Sequence, residues 1–172
     1  AEKQRQAELK RQAELERQRQ EKAAKEAARQ NLLNSGIVVD LGLPSGTLWC
    51  AKNEGGDYAR YTYNEAVNKF GNKLPTKEQL EELKNQCTWT WGAQNGINGY
   101  TVTGPNGNSI FFPAAGGRYC DGGVYYVGSD GRYWSSAPYG SEEAYSLYFG
   151  SDGLYMDYDD RCYGRSVRLV AH

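Results

Sequence analysis

The side chains able to do chemistry are few and unevenly placed. The only histidine among the 172 residues is His172, the last one. A serine or cysteine nucleophile therefore has no internal imidazole as its base, and no zinc-histidine site is expected. The cysteines are Cys50, Cys87, Cys120 and Cys162. None forms a Cys-x-x-Cys pair, which disfavours thioredoxin-type redox chemistry, and four cysteines allow three pairings among which spacing does not choose. Asp157, Asp159 and Asp160 bunch together with Asp152 nearby. Oxygen-rich clusters suit calcium, but no loop spacing with a closing glutamate is present, so these acids read as solvated residues of hairpin turns. No catalytic group, metal site or cofactor is expected. What is abundant is tyrosine, 14 residues against 4 Phe and 4 Trp, together with 21 glycines.

The tyrosines are concentrated. Residues 118–163 hold 10 Tyr, 7 Gly, 6 Ser and 6 Asp, and the last lysine of the chain is Lys84. That is the composition of an antibody-like contact surface. Tyr supplies large amphipathic area with two rotatable side-chain bonds, while Ser and Gly supply adaptable loop positions. Absence of lysine fits too, because its flexible stem is costly to immobilise. Tyrosine is also a good strand former and Gly, Asp and Ser are turn residues, so a β-rich domain can reach this composition without a ligand. Position favours binding: Tyr119, Tyr139, Tyr155, Tyr158 and Tyr163 fall in or beside turns, or opposite an apolar strand face. The same stretch carries 3 Arg against 8 Asp/Glu, and the whole chain has net charge −1, so nucleic acid is not an expected partner.

Two unlike pieces must position these residues. Residues 1–33 contain no Gly, Pro, Val, Ile or aromatic residue and are rich in Ala, Glu, Lys, Arg, Gln and Leu, strong helix formers. The best seam runs Leu9, Ala13, Glu16, Gln20, Ala23, Ala27, too polar for a strong zipper. A helical stalk or spacer is expected, with at most a weak coiled coil through which chains could associate. Residues 34–172 read as short strands and turns. IVVDLGL and GTLWC form two strands hinged by Pro44-Ser45-Gly46. Asn64 is expected to cap a helix through Phe70 with Val67 and Phe70 inward. Thr76 and Gln79 form a capping box for a second helix with Leu80 and Leu83 on one face. WTWG, GYTVTG and SIFFPAAG alternate with turns at Asn95-Gly96 and Pro105-Asn106-Gly107. The end reads as a meander of YSLYF (145–149), LYMDY (154–158) and SVRLV (166–170). In it Leu147, Phe149, Leu154, Met156, Val167 and Leu169 face one core, opposite Tyr148, Tyr155 and Asp157. Buried support is expected from Trp49, Trp89, Trp91, Phe111 and Trp134 as well. The class is α+β. No run of about 18 apolar residues exists, so no membrane span is expected, and no apolar leader opens the sequence, so export would rest on a signal outside it.

Several strings carry a resemblance. VDLGLPSGTLW (39–49), LPTKEQLEEL (74–83), NGYTVTGPNGNSIFFPAAG (98–116), VGSDGRYWSS (127–136), YSLYF and RSVRLV (165–170) resemble the Fibrobacter-type major paralogous domain of gut Bacteroidetes. Within it they are most similar to the variable proteins of diversity-generating retroelements. The resemblance covers residues 37 to 170. It implies a C-type-lectin-like fold related to formylglycine-generating enzymes: two helices and antiparallel hairpins, here preceded by the long N-terminal helix. It also implies a C-terminal region rewritten at adenines of AAC codons, changes that cannot yield Lys, Glu, Gln, Met or Trp. Tyr119, Cys120, Asp121, Asp130, Arg132, Tyr139, Ser141, Ser151, Asp152, Tyr155, Asp157, Tyr158, Asp159, Asp160, Cys162 and Tyr163 are all permitted outcomes, whereas Glu142, Glu143 and Met156 are not. On this reading Cys120 and Cys162 are sampled residues and not a catalytic pair, while Cys50 and Cys87, in scaffold strings, are either a disulfide or two buried thiols.

The expected function is therefore that of a receptor or adhesin, not an enzyme. A diversified face within 118–163 would engage a protein or carbohydrate on a cell surface, from a bacterial outer surface or a phage tail. The alternatives are a non-diversified surface scaffold of the same fold and a cysteine-dependent oxidase.

Overall fold

Thr76 and Gln79 show how local signals seed this structure. The Thr76 hydroxyl accepts from the Gln79 N–H at 3.1 Å, and the Gln79 side chain accepts from the Thr76 N–H at 2.8 Å. This capping box starts α3 (Lys77–Gln86), whose Leu80 and Leu83 are fully buried. Helix α2 (Tyr63–Phe70) is capped by Thr62, not Asn64: the Thr62 hydroxyl accepts from the Glu65 N–H. With the start two residues earlier, Tyr63 and Ala66 are buried and Val67 and Phe70 half-covered.

The computed structural model describes residues 1–172, which divide into two compact units, Ala1–Gly36 and Ile37–His172. The first is one helix, α1 (Glu2–Ser35), with no buried residue. Pairs at helical spacing, Glu8 with Arg11 and Glu14 with Arg17, run along it, and Gly36 closes it in the left-handed region at φ 72°. No helix is long and apolar enough to cross a membrane.

The second unit completes an α+β architecture built from small antiparallel sheets. Strands β1 (Val38–Asp40) and β2 (Leu48–Cys50) pair as read from sequence. So do β3 (Thr88–Gln94), β4 (Ile97–Thr103) and β5 (Ser109–Pro113), joined by the two expected turns. A short ribbon of β6 (Gly117–Arg118) and β7 (Val124–Tyr125) follows. The largest sheet is β8 (Gly131–Tyr139), β9 (Glu143–Gly150) and β10 (Gly153–Asp160), in the order β10-β9-β8. A bulge between Trp134 and Pro138 shifts the β8–β9 register. Ser135 fills it, its hydroxyl donating to the Tyr145 carbonyl and accepting from the Ala137 N–H.

The expected terminal meander is corrected. Its third strand is β8, on the far side of β9, not SVRLV. Residues 166–170 thread back, and β11 (Val170–Ala171) pairs with β2. Phe111 also departs from expectation. Along β5 the inward residues are Ile110 and Phe112, and period two leaves Phe111 half-exposed. Leu147, Phe149, Tyr133 and Phe112 share one core with Trp49, Leu80 and Leu83, and Leu154 and Met156 pack against it. Trp134, Val167 and Leu169 share a second core with Tyr63 and Ala66. Gly131 is required by close approach, because an added Cβ would lie 1.9 Å from the Phe149 ring.

Arg168 ties these layers together. Its side chain is buried, yet every hydrogen bond it donates goes to a neutral acceptor: Asn53 Oδ1, the Cys50 carbonyl and the Phe111 carbonyl. The Phe112 ring lies 4.3 Å from the guanidinium carbon. Asn53 then donates to the Tyr133 hydroxyl, which donates to the Pro113 carbonyl. Burial pushes the Tyr133 phenol up to about 12. Because three acceptors lose their donor together, Arg168→Met is expected to destabilise the domain by at least about 3 kcal/mol in denaturant titration. A loss under about 1 kcal/mol would show that the network contributes little.

Candidate functional site

The β8-β9-β10 register arranges the site. Arg132, Tyr148 and Tyr155 lie in one cross-strand row and Trp134, Ser146 and Asp157 in the next, on the face opposite Leu147 and Met156. The segment 163–166 crosses this sheet: Arg118 bridges to Gly164, and Tyr133 bridges in parallel to Ser166. It delivers Arg165, fully buried, to the Asp159 carboxylate at 2.9 Å. The same carboxylate accepts from the Ser146 hydroxyl at 2.9 Å and pairs with Arg132 at 3.5 Å. Asp159 is thus no solvated turn acid but an enclosed strand residue. Burial alone would raise its pKa, and Arg165, Ser146 and Arg132 more than offset that, holding it below the ordinary aspartate value.

Tyrosines lie over this charged layer. Arg165 stands 4.8 Å from the Tyr163 ring and donates to the Tyr125 hydroxyl. Arg132 stands 4.5 Å from Tyr148 and 5.8 Å from Tyr125. Tyr119 stacks on Tyr125 at 4.1 Å and meets Tyr163 edge-on, and Tyr148 stacks with Tyr155 at 6.0 Å. Gly117 leaves room for the Arg165–Tyr125 contact, since an added Cβ would lie 2.4 Å from Arg165 Nη1 and 2.7 Å from the Tyr125 hydroxyl and would displace them. Cys120 and Cys162 form a disulfide with Cα atoms 5.1 Å apart. It joins the 119–123 loop to the 161–163 segment and settles which of the three possible pairings forms. Cys50 and Cys87 are free thiols. Burial raises both, Cys87 to about 11, which keeps them protonated and weakly nucleophilic at neutral pH.

The sixteen residues singled out from sequence do not form one patch. Tyr119, Cys120, Asp130, Arg132, Tyr155, Asp157, Asp159, Cys162 and Tyr163 surround the arginine layer, and exposed Asp121 holds the adjoining turn through the Gly123 N–H. Asp130 lies 3.6 Å from Arg132. Strand alternation sends Tyr158 to the other face, where it stacks on Tyr139 at 4.1 Å and Tyr139 meets Tyr145. The neighbouring Tyr139, and then Glu143, raise the Tyr158 phenol. Ser141, Asp160 and Cys162 line an open cleft of 560 Å³ with Thr62 and Arg161. Ser151 and Asp152 form the exposed β9–β10 turn, roughly 25 Å away along the strands.

Sequence reasoning missed Tyr125, Tyr126, Tyr148 and Arg165 as members of this face. The three tyrosines lie within the same lysine-free window, and that shared composition was the available signal. Tyr126 is the most exposed of them at 61% and takes a positive φ of 54°. Arg165 carried no signal, since a buried arginine reads as a surface one.

The pH dependence follows from the lowered Asp159 value. Its stabilisation is complete above the unfolded aspartate value of about 3.9 and is lost as pH falls through the lower folded value. Asp159→Asn should cost about 3 kcal/mol at pH 7, by leaving Arg165 uncompensated, and the gap from the parent should narrow as pH drops below about 4. Chemical denaturation across pH 7 to about 2.5 reads this out, and a constant gap would contradict it.

Residues 75–170 match the family model described as a domain of unknown function, DUF8237. No curated protein and no solved structure matches the chain.

Proposed function

We propose that the chain, which belongs to the DUF8237 family, is a ligand-binding protein, a receptor or adhesin that presents a diversified tyrosine-rich surface on a C-type-lectin-like scaffold. The observation that carries this reading is the separation of layers. Tyr119, Tyr126 and Tyr155 are 45%, 61% and 52% exposed, while the charges that hold their neighbourhood, Asp159 and Arg165, are enclosed beneath. Folding has no use for large aromatic area left in water at three neighbouring places, whereas recognition does. A face with rigid, covalently tied loops also loses less entropy when it binds.

The ligand is a protein or a carbohydrate on a cell surface, since aromatic faces and short polar side chains serve both. The Cys120–Cys162 disulfide supports an oxidising location, a bacterial outer surface or a phage tail. Residues 1–33 supply a solvated helical spacer. The protein acts by binding and not by catalysis, as the free thiols are kept protonated and no base adjoins a nucleophile on the face. Diversification by a retroelement agrees with the residue types at the face: Tyr, Asp, Arg, Ser and Cys are all reachable from AAC codons by adenine changes.

Two measurements test this. Reading the gene should find codons ending in C at Tyr119, Tyr125, Tyr126 and Tyr155, beside a near-identical template repeat and a reverse-transcriptase gene. Absence of both the repeat and the gene removes the diversification claim. Replacing Tyr119 and Tyr155 together by Ala should leave the melting temperature within about 3 °C of the parent. The same change should abolish binding of the labelled chain to the cells it recognises in a panel of bacteria and a glycan array. A fall of more than about 10 °C would mean these rings hold the fold instead.

A further inference from the structure

Strand β10 is the outer strand of its sheet and is paired along one side only. The two-residue turn Ser151-Asp152 makes Gly150 and Gly153 the closing, hydrogen-bonded pair. Alternation then turns the N–H and C=O groups of Leu154, Met156, Tyr158 and Asp160 away from β9. Two contacts agree: the Tyr158 N–H is donated to the Asp157 carboxylate at 2.8 Å, and the Asp160 carbonyl accepts from the Tyr163 N–H. The outward groups of Leu154 and Met156 meet no other backbone partner. An unpaired edge of this length is a template for another strand unless it is blunted.

The side chains along the edge repeat one pattern on both faces. Tyr155 and Asp157 project from one face and Tyr158 and Asp160 from the other, each an exposed tyrosine followed two residues later by an aspartate. Self-pairing is disfavoured, because a second copy would set this aspartate-rich strand against its own like charges. A cationic strand gains from the same arrangement. Asp157 and Asp160 are three residues apart and so lie on opposite faces, which matches cations three apart in an extended peptide.

We propose that the free edge of β10 takes up an extended basic peptide segment as a fourth strand, its main chain pairing with Leu154 and Met156 and its cations reaching Asp157 and Asp160. This rests on the reading of the tyrosine face as a ligand-binding surface and names the ligand class as a protein segment. Backbone pairing supplies affinity that does not depend on which residues occupy the rewritten positions, and the alternate side chains supply selectivity.

The test uses the full chain and synthetic peptides followed by calorimetry. The probe is acetyl-TVRVTKVT-amide, with acetyl-TVEVTEVT-amide as its acidic counterpart and two forms of the basic peptide N-methylated on one or the other alternate set of amides. The basic peptide should bind, the acidic one should be weaker by at least about tenfold, and one methylated form should lose at least about tenfold while the other keeps the parent affinity. Absence of binding by the basic peptide at millimolar concentration, or equal effects of the two methylation patterns, overturns strand addition. Equal affinity for the acidic peptide overturns the charge assignment. If strand addition fails while cell binding still depends on Tyr119 and Tyr155, the ligand-binding reading stands without it; loss of both removes both.

Discussion

A buried carboxylate between two arginines sets up everything that lies above it. Asp159 sits on the outer face of the largest sheet, where a lone charge would be costly, and Arg165 at 2.9 Å and Arg132 at 3.5 Å make it tolerable. The converse matters as much. Arg165 is fully enclosed, and without Asp159 it would be an uncompensated cation beneath Tyr163 and Trp134. The pair joins β10 to the 163–166 segment, and through the Tyr125 hydroxyl it reaches the β6–β7 ribbon. The end of β10, the segment that follows it and the distant β6–β7 ribbon are thereby placed without any of the exposed tyrosines having to hold them.

Arg168, three residues on, solves the same problem differently. Its charge is spread over carbonyls and an aromatic ring instead of a carboxylate. The 164–171 segment has only two residues of regular strand, yet it runs buried through the domain. A buried irregular segment must satisfy its polar groups some other way. Here backbone groups of Tyr61, Arg132, Trp134, Glu54 and Cys50 pair with those of Arg165, Ser166, Val167 and Leu169, and the Arg168 side chain adds hydrogen bonds to the Cys50 and Phe111 carbonyls. The two arginines are the buried cations of the scaffold, set among smaller buried polar residues such as Asn53, Ser135 and Ser146.

Features decided within a few residues could be read directly from the chain. The Thr76–Gln79 box, the Asn95-Gly96 hairpin and the alternation of Leu147, Phe149, Tyr148 and Tyr155 are local rules, and each appears in the structure. The α2 cap slipped by two residues because Thr62 and Asn64 are both competent caps and tertiary burial of Tyr63 chose between them. The partner of β11 and the Cys120–Cys162 pairing depend on contacts dozens of residues apart, for which one sequence holds no signal. Asp159 departs from the sequence expectation for a chemical reason. A run of acids reads as solvated, and only the approach of Arg165 shows that one of them is enclosed. Composition marks the tyrosine window as one surface, but the period of a strand divides it, so Tyr155 and Tyr158 lie on opposite faces.

The domain divides into residues that hold the fold and residues that are held by it. A scan of every single substitution at 118–170, read as the amount of folded protein displayed on a cell surface, measures that division directly. Tyr119, Tyr126 and Tyr155 should accept most side chains with little loss of display, while Asp159, Arg165, Arg168 and Trp134 should accept almost none. If the three tyrosines prove as restrictive as Trp134, they are structural, and the proposed binding face does not exist.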